Sequence, residues 1–328
     1  MNDQLRRHDA KQQGRGDAAT RRRGETEKET IFFEGNEDFD GENEGFVEAD
    51  PRRVSASARP RVSSAPLIIG HRGASALAPE NTLAAFERAL EDGADGLEFD
   101  VRLASDRVPV VIHDATLRRT GLCEGSIATL SSIELARVDV GTWFNLRRPT
   151  LAQPAYSNEK IPTLAQVFET MKERAAVLYV EMKCDVSEGR ALAVETAQLI
   201  RAHAFTGRVV VESFTLDALA ELKRVAPEIR AAALFEPKLS RPLPSARKII
   251  EQTMACGADE IALHRTLATA RTVAAARRRG MNTIVWTVDN PAWVKRAIER
   301  GLHALITNQP AQMRSRLDRL LNDRKAFA

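Results

Sequence analysis

Hydrophobic and polar residues alternate along the chain in two distinct patterns from Pro66 onward. Short apolar runs, of the kind found in strands buried within a parallel sheet, are separated by longer segments whose apolar residues recur at helical spacing. The predicted strands are Leu67–Gly70, Gly96–Val101, Val108–Ile112, Ala176–Glu181, Val209–Ser213, Ala231–Phe235, Glu260–Leu263, Thr283–Thr287 and Ala304–Thr307. Helical spacing follows most of them and is illustrated by Asn81–Glu91, Thr215–Val225, Leu267–Arg279 and Pro291–Glu299. This alternation predicts repeated strand–helix units around a parallel α/β sheet.

The number of these units favours a closed TIM-type (β/α)8 barrel. The segment from Leu67 to Asn322 contains about 256 residues, and barrels of this type typically contain about 250. A doubly wound open sheet is the alternative that the pattern leaves open. The stretch Leu117–Ile161, which includes Trp143 and Phe144, lacks the alternation and is interpreted as a small insertion after the second strand region.

The first 65 residues have a different composition from the rest of the chain. A basic portion that includes Arg21–Arg23 is followed by Glu34–Asp50, which contains acidic residues but neither lysine nor arginine. Segments with separated charges and few apolar residues cannot bury enough surface to offset the entropy lost on ordering. Residues 1–65 are therefore predicted to be a disordered extension and residues 66–328 to form the barrel domain. A docking segment anchored by Ile31–Phe33 is the alternative interpretation.

Overall charge and cysteine content exclude several classes of protein. The net charge of +3 is the balance of 48 basic and 45 acidic residues, so it provides no strong field for nucleic acid. The three cysteines are odd in number and lack a Cys-x-x-Cys pair, which argues against a disulfide framework or a thiolate zinc site. No apolar run has the length of a signal peptide or a membrane span. We expect a cytoplasmic protein with a small-molecule substrate and without stable membrane insertion; its oligomeric state is not indicated.

Polar residues follow the apolar strands at the positions where a parallel barrel carries its chemistry. The carboxyl ends of the strands meet around one cavity, and the loops that follow them supply the functional groups. Residues two apart on a strand point to the same side, so Glu98 and Asp100 share a face, as do Glu181 and Lys183. The polar residues at such positions are His71, Arg72, Glu98, Asp100, His113, Glu181 and Lys183.

Three carboxylates at one barrel mouth would repel one another unless a cation lay among them. Carboxylate oxygens select a hard cation such as Mg²⁺ or Ca²⁺. Taken singly, each acid could form an ordinary salt bridge, and each histidine could be a hydrogen-bonded core residue. Their joint placement at several strand ends favours a functional site.

Several motifs carry a family resemblance. They are His71-Arg72-Gly73-Ala74, Pro79-Glu80-Asn81-Thr82, Glu98-Phe99-Asp100-Val101, His113-Asp114, Arg119-Thr120-Gly121, Ile161-Pro162-Thr163-Leu164, Glu181-Met182-Lys183, Ser213-Phe214 and Trp286-Thr287-Val288. Together they resemble the glycerophosphodiester phosphodiesterase family of TIM-barrel enzymes, and the resemblance extends from Leu67 to Pro310. One difference occurs at Asn308, because family members often have aspartate after the threonine. We expect this difference to affect the packing of the last loop and not the activity.

The resemblance implies a metal site and an acid–base pair. Glu98, Asp100 and Glu181 are expected to bind one divalent cation, and their oxygens suit both Mg²⁺ and Ca²⁺. His71 and His113 are expected to act as general acid and general base, since imidazole titrates near neutral pH. The sequence does not assign the two roles to the two histidines.

The resemblance also implies residues that bind the substrate. Arg72 and Lys183 are expected to hold the phosphate, and Trp286 to form a wall beside the substrate. Phe214 has a similar position, although apolar packing is an alternative account of it. Glu80 is expected to support the metal ligands or to be an additional ligand; the alternative is an acid in the first turn of a helix, where the dipole favours negative charge.

The function that the resemblance implies is hydrolysis of a glycerophosphodiester to glycerol 3-phosphate and an alcohol such as choline, ethanolamine or glycerol. A first alternative is a phosphodiesterase of the lysophospholipase D type, which would need an apolar channel for an acyl chain. A second is a noncatalytic barrel that binds a phosphorylated ligand. The presence of two histidines beside the carboxylates argues against the second alternative, because a binding protein needs no acid–base pair.

Overall fold

The computed structural model describes residues 65–175, 177–238 and 242–326. The predicted disordered extension lies outside these ranges, apart from its last residue, and stays a prediction. Among the described residues, none of the helices combines the length and apolar character needed to span a bilayer.

Eight parallel strands form a closed barrel, as predicted. The strands of the structure are β1 (Leu67–His71), β2 (Gly96–Leu103), β3 (Pro109–Val111), β4 (Val177–Met182), β5 (Val209–Ser213), β6 (Arg230–Phe235), β7 (Glu260–His264), β8 (Asn282–Trp286) and β9 (Ala304–Thr307). The sheet closes because β1 pairs in parallel with both β2 and β9. The open-sheet alternative is therefore wrong.

Helices surround the barrel and follow its strands. They are α1 (Leu83–Glu91), α2 (Ser132–Leu135), α3 (Thr142–Arg147), α4 (Leu164–Met171), α5 (Val186–Ala202), α6 (Leu216–Val225), α7 (Ala246–Ala255), α8 (Ala270–Arg278), α9 (Ala292–Arg300) and α10 (Pro310–Ala326). Several begin at a side-chain cap: Thr82 accepts a hydrogen bond from the backbone of Ala85 at α1, and Asp185 caps α5. Such caps satisfy backbone N–H groups that the first turn leaves unpaired.

The predicted strand Val108–Ile112 is not a barrel strand. It appears as the shorter β3, which pairs antiparallel with the end of β2, so that Val101 faces Val111. The physical reason is the short connection, since only residues 104–108 separate the two strands. A parallel crossover requires about a dozen residues or more, whereas a hairpin does not.

Inward-facing positions of the barrel change from apolar to polar toward the carboxyl ends of the strands. Ile69 and Tyr179 belong to the buried apolar cluster inside the barrel. His71 and Glu181 follow them by two residues on the same strands and therefore share their face. The apolar layer thus forms a floor, and the polar residues above it line the mouth.

The insertion between β3 and α4 covers one side of this mouth. It contains α2, α3 and three 3-10 turns at Ile127–Thr129, Pro149–Leu151 and Pro154–Asn158. Phe144 and Tyr156 are buried against Ala78 and Ala85, at the start of the barrel. The insertion is thereby held beside the loop that follows β1.

Candidate active site

Three buried carboxylates meet at the barrel mouth. Glu98 and Asp100 lie on β2, and Glu181 lies on the neighbouring β4, where it pairs with Asp100 in register. One oxygen from each residue lies within 4.8 Å of the others. The structure thus brings together the three residues that the sequence predicted as metal ligands, and the group could hold a divalent cation.

Burial and mutual repulsion perturb these carboxylates. The pKa of Glu98 is raised well above its usual value, first by burial and then by the charges of Asp100 and Glu181. Burial and Asp100 raise the pKa of Glu181 to about 7. Burial would also raise the pKa of Asp100, but the charges of Arg72 and Lys183 outweigh it and hold the pKa low. Three crowded oxygen ligands of this kind fit a hard cation, which would relieve their repulsion.

Two basic side chains lie directly against the carboxylate group. Arg72 Nε is 3.0 Å from Asp100, and Lys183 Nζ is 2.7 Å from Glu181 and 3.3 Å from Asp100. Arg72 has a positive φ of 53° and is followed by Gly73 at 84°. A Cβ at Gly73 would lie 2.5 Å from the backbone of Ala85, so this tight turn requires glycine.

His71 is held by a hydrogen-bond network with a defined direction. Asn308 Nδ2 donates to Asp289 Oδ2 over 2.8 Å, so its Oδ1 faces His71 Nδ1 at 2.7 Å. Because Asn308 Oδ1 only accepts hydrogen bonds, Nδ1 must carry the proton, and Nε2 is left as the acceptor. Nε2 lies 3.8 Å from Glu98. Burial and then the charge of Arg72 lower the pKa of His71 to about 4.

His113 has a carboxylate partner instead of an amide. Its Nδ1 lies 2.6 Å from Asp114, which accepts from Arg119 over 2.6 Å. Burial would raise the pKa of Asp114, but hydrogen bonds from Arg119 and His113 outweigh it and lower the pKa to about 2. The pKa of His113 itself is lowered, chiefly by burial.

Glu80 connects this network to Arg72. It accepts hydrogen bonds from Arg119 over 2.7 and 2.8 Å and from Arg72 over 2.8 Å. Glu80 precedes Thr82, the cap of α1, so it is not a first-turn helix acid. It also lies outside the group of three carboxylates and instead orients two arginines.

An aromatic wall borders the cavity at the barrel mouth, which has a volume of about 310 Å³. Trp286 and Phe214 line it and contact each other edge to face, with ring centroids 5.5 Å apart. Lys183 Nζ lies 5.7 Å from the centre of the Phe214 ring. Phe214 is 37% exposed, so packing in the core does not account for it.

Six residues of this site were missed as individual participants by sequence reasoning. They are Asn81, Asp114, Arg119, Glu212, Asp289 and Asn308. Asn81 and Arg119 lie within the quoted motifs, and Asn81 donates to Asp100 over 2.8 Å. Glu212 follows the inward-facing Val210 by two residues, a spacing that could have revealed it. It is 1% exposed, and burial followed by the charge of Glu98 raises its pKa well above the usual value.

Comparison with known proteins decides the family. Residues 71–312 match the model of the glycerophosphoryl diester phosphodiesterase family. The chain belongs to this family. A glycerophosphodiester phosphodiesterase of Caldanaerobacter subterraneus subsp. tengcongensis is 32% identical over 246 residues, which cover 74% of this chain and 94% of that protein.

Solved structures of family members have the same fold. An Oleispira antarctica phosphodiesterase in complex with the product sn-glycerol-3-phosphate superposes with a TM-score of 0.68 and 26% identity, covering 77% of this chain and 97% of that one. The glycerophosphodiester phosphodiesterase of Agrobacterium tumefaciens gives a TM-score of 0.63 and 27% identity, over 76% and 99% of the two chains. The family member described here is therefore a phosphoric diester hydrolase with a TIM barrel, as predicted, and not a noncatalytic barrel.

Proposed function

We propose that the protein hydrolyses glycerophosphodiesters to glycerol 3-phosphate and an alcohol in a reaction that depends on one divalent cation. The observation that carries this proposal is the group of three buried carboxylate oxygens within 4.8 Å of one another. Two basic side chains and two histidines lie around it, and all seven residues come from the mouth of one barrel. This arrangement matches the needs of phosphodiester cleavage, in which negative charge must be neutralised and protons must be moved.

Glu98, Asp100 and Glu181 would hold the cation. When bound, Mg²⁺ or Ca²⁺ supplies Lewis-acid chemistry that neutralises negative charge on the phosphodiester. Arg72 and Lys183 lie beside these ligands and would bind the nonbridging oxygens of the phosphate. The positively charged side chains of Arg72 and Lys183 would thereby orient the phosphorus between the two histidines.

The partners of the two histidines support opposite roles for them. Asn308 holds His71 with the proton on Nδ1, which leaves the Nε2 lone pair available. His71 is therefore assigned as the group that accepts the proton of the nucleophile that attacks phosphorus. His113 contacts the carboxylate of Asp114, whose hydrogen bond favours the protonated ring and partly offsets the lowering of its pKa by burial. His113 is assigned as the group that donates a proton to the departing alkoxide of the alcohol.

Trp286 and Phe214 would contact the glycerol 3-phosphate part of the substrate and position it in the site. Their rings line the cavity at the barrel mouth, and the Phe214 ring lies beside Lys183. The related Oleispira antarctica phosphodiesterase is in complex with sn-glycerol-3-phosphate, which supports binding of that product.

Product analysis tests this function. The protein should release glycerol 3-phosphate from glycerophosphocholine and glycerophosphoglycerol, whereas lysophosphatidylcholine should be a poor substrate. The Glu98→Gln variant should bind the cation more weakly and lose turnover. Glu87→Gln changes an acid on the outside of α1, paired with Arg174 over 3.0 Å, and serves as the matched control. Release of choline from lysophosphatidylcholine alone would instead establish the lysophospholipase D alternative.

A further inference from the structure

A second cavity adjoins the barrel mouth on the side of the insertion. Its volume is about 470 Å³, and it shares His71 and Arg72 with the first cavity. The loop after β1, helix α3 of the insertion and the loop after β9 surround it. We call it the insertion cavity.

The insertion cavity carries an excess of positive charge. Four arginines and two carboxylates line it, which gives a formal net charge of +2. Arg72 and Arg119 both pair with Glu80, and each also pairs with a second carboxylate, Asp100 for Arg72 and Asp114 for Arg119, so their charges are compensated. The excess therefore resides at the end of α3, where two further arginines follow each other.

Arg147 and Arg148 are these two residues. Both side chains are exposed, and within residues 65–175, 177–238 and 242–326 neither has a carboxylate at ion-pair distance. Trp143, one turn earlier on α3, also lines the cavity. An unpaired arginine pair beside an aromatic ring is suited to an anion, since the guanidinium group binds carboxylates and phosphates in a bidentate manner.

The position of the cavity relative to the phosphate site determines what it would bind. A phosphodiester has two substituents on opposite sides of the phosphorus, and Arg72 stands where the two cavities meet. We propose that the insertion cavity binds the alcohol part of the substrate and selects alcohols that carry an additional negative charge, either a carboxylate or a second phosphate. This inference rests on the proposed function, which places the phosphate at Arg72 and glycerol at the aromatic wall.

Matched pairs of substrates test the preference. Glycerophosphoserine differs from glycerophosphoethanolamine by one carboxylate, and bis(glycerophospho)glycerol differs from glycerophosphoglycerol by one glycerophosphoryl group, which adds a second phosphate charge. The member of the pair with the additional negative charge should, in at least one pair, have a kcat/KM on the order of tenfold higher, chiefly through KM, because two exposed arginines each contribute modestly. High salt should reduce the preference, since exposed charges are screened. The two pairs distinguish a carboxylate from a phosphate as the recognised group.

A charge-matched pair of variants locates the effect. The double variant Arg147→Gln with Arg148→Gln should give nearly equal kcat/KM values for the two substrates of any pair that the parent protein distinguishes. Arg271→Gln with Arg278→Gln removes the same charge from exposed positions of α8, outside both cavities, and should leave the ratio unchanged.

Each outcome bears on the inference. Equal kcat/KM within both pairs for the parent protein overturns it, and so does a preference that persists in the α3 variant or disappears equally in the α8 variant. Turnover without a preference leaves the proposed function intact. Absence of glycerol 3-phosphate with all four substrates overturns the proposed function together with the inference.

Discussion

Replacing Asn308 by leucine should slow turnover, because Asn308 holds a proposed catalytic histidine in place. Its amide accepts the hydrogen bond from His71 Nδ1 over 2.7 Å and is itself oriented by Asp289 over 2.8 Å. Leucine removes the acceptor and keeps a similar volume. His71 then loses the contact that fixes its tautomer and ring orientation, so Nε2 is no longer held ready to accept a proton.

The expected magnitude follows from the lost hydrogen bond. Leaving a buried donor without its partner costs about 1–3 kcal/mol, and about 1.4 kcal/mol corresponds to a tenfold change in rate. The loss in kcat should therefore be roughly 5- to 150-fold. The upper limit is the loss of the whole proton transfer, ~10²–10⁴-fold.

Steady-state kinetics on a glycerophosphodiester, together with the ¹⁵N spectrum of His71, measure this effect. Asn308→Leu should lower kcat with little change in KM, and the spectrum should show a mixture of tautomers. The double variant Asn308→Asp with Asp289→Asn exchanges the two partners. An aspartate at 308 can accept from His71 Nδ1 and from the amide of an asparagine at 289, so this variant should recover much of the lost kcat. A near-parental kcat in Asn308→Leu would refute the positioning role.

A control variant separates positioning from a general loss of stability. Asn282 donates to Glu260 over 3.2 Å at the amino end of the barrel, far along the strand from the mouth. Asn282→Leu should lower the unfolding temperature without changing the ¹⁵N signals of His71. If both variants lower kcat equally, the loss reflects stability alone.

Three further predictions follow from the site and from the sequence. His71→Ala and His113→Ala should each lower kcat by ~10²–10⁴-fold, whereas His203→Ala, which breaks a pair with Glu169 outside the site, should not; parental turnover in both site variants would contradict the acid–base pair. The pKa of Glu181 is raised to about 7, first by burial, so it holds a proton below that pH and must release it to bind a cation. Calorimetry should therefore show Mg²⁺ affinity falling as the pH is lowered through 7, and affinity independent of pH would count against Glu181 as a ligand. Limited proteolysis should remove residues 1–64 without loss of turnover; loss of fold or activity on trimming would disprove the disordered extension.

The barrel and the shared face of two of its mouth carboxylates could be predicted because both follow from simple periodicities. Apolar runs of strand length mark the parallel strands, and a spacing of two places Glu98 and Asp100 on the same face. The direction of a strand has no such signature, so the apolar pattern alone predicts β3 as a barrel strand. The five-residue connection from 104 to 108 is the local signal that would have corrected it.

Long-range hydrogen bonds explain most of what sequence reasoning did not find. Asn308 and His71 are separated by 237 positions, and they meet only because the barrel closes. The loop after β9 was expected to differ from the family in packing alone, yet its asparagine hydrogen-bonds to a proposed catalytic histidine. The contact depends on how Asp289 orients the amide, which composition and spacing do not encode.

The dependence of turnover on a divalent cation is the central claim, and one measurement tests it directly. Protein stripped of metal, with its metal content verified by elemental analysis, is assayed for glycerol 3-phosphate release from glycerophosphocholine before and after addition of Mg²⁺ or Ca²⁺. The carboxylate group formed by Glu98, Asp100 and Glu181 predicts no turnover before addition and recovery after it. Full turnover in the metal-free protein would contradict the account.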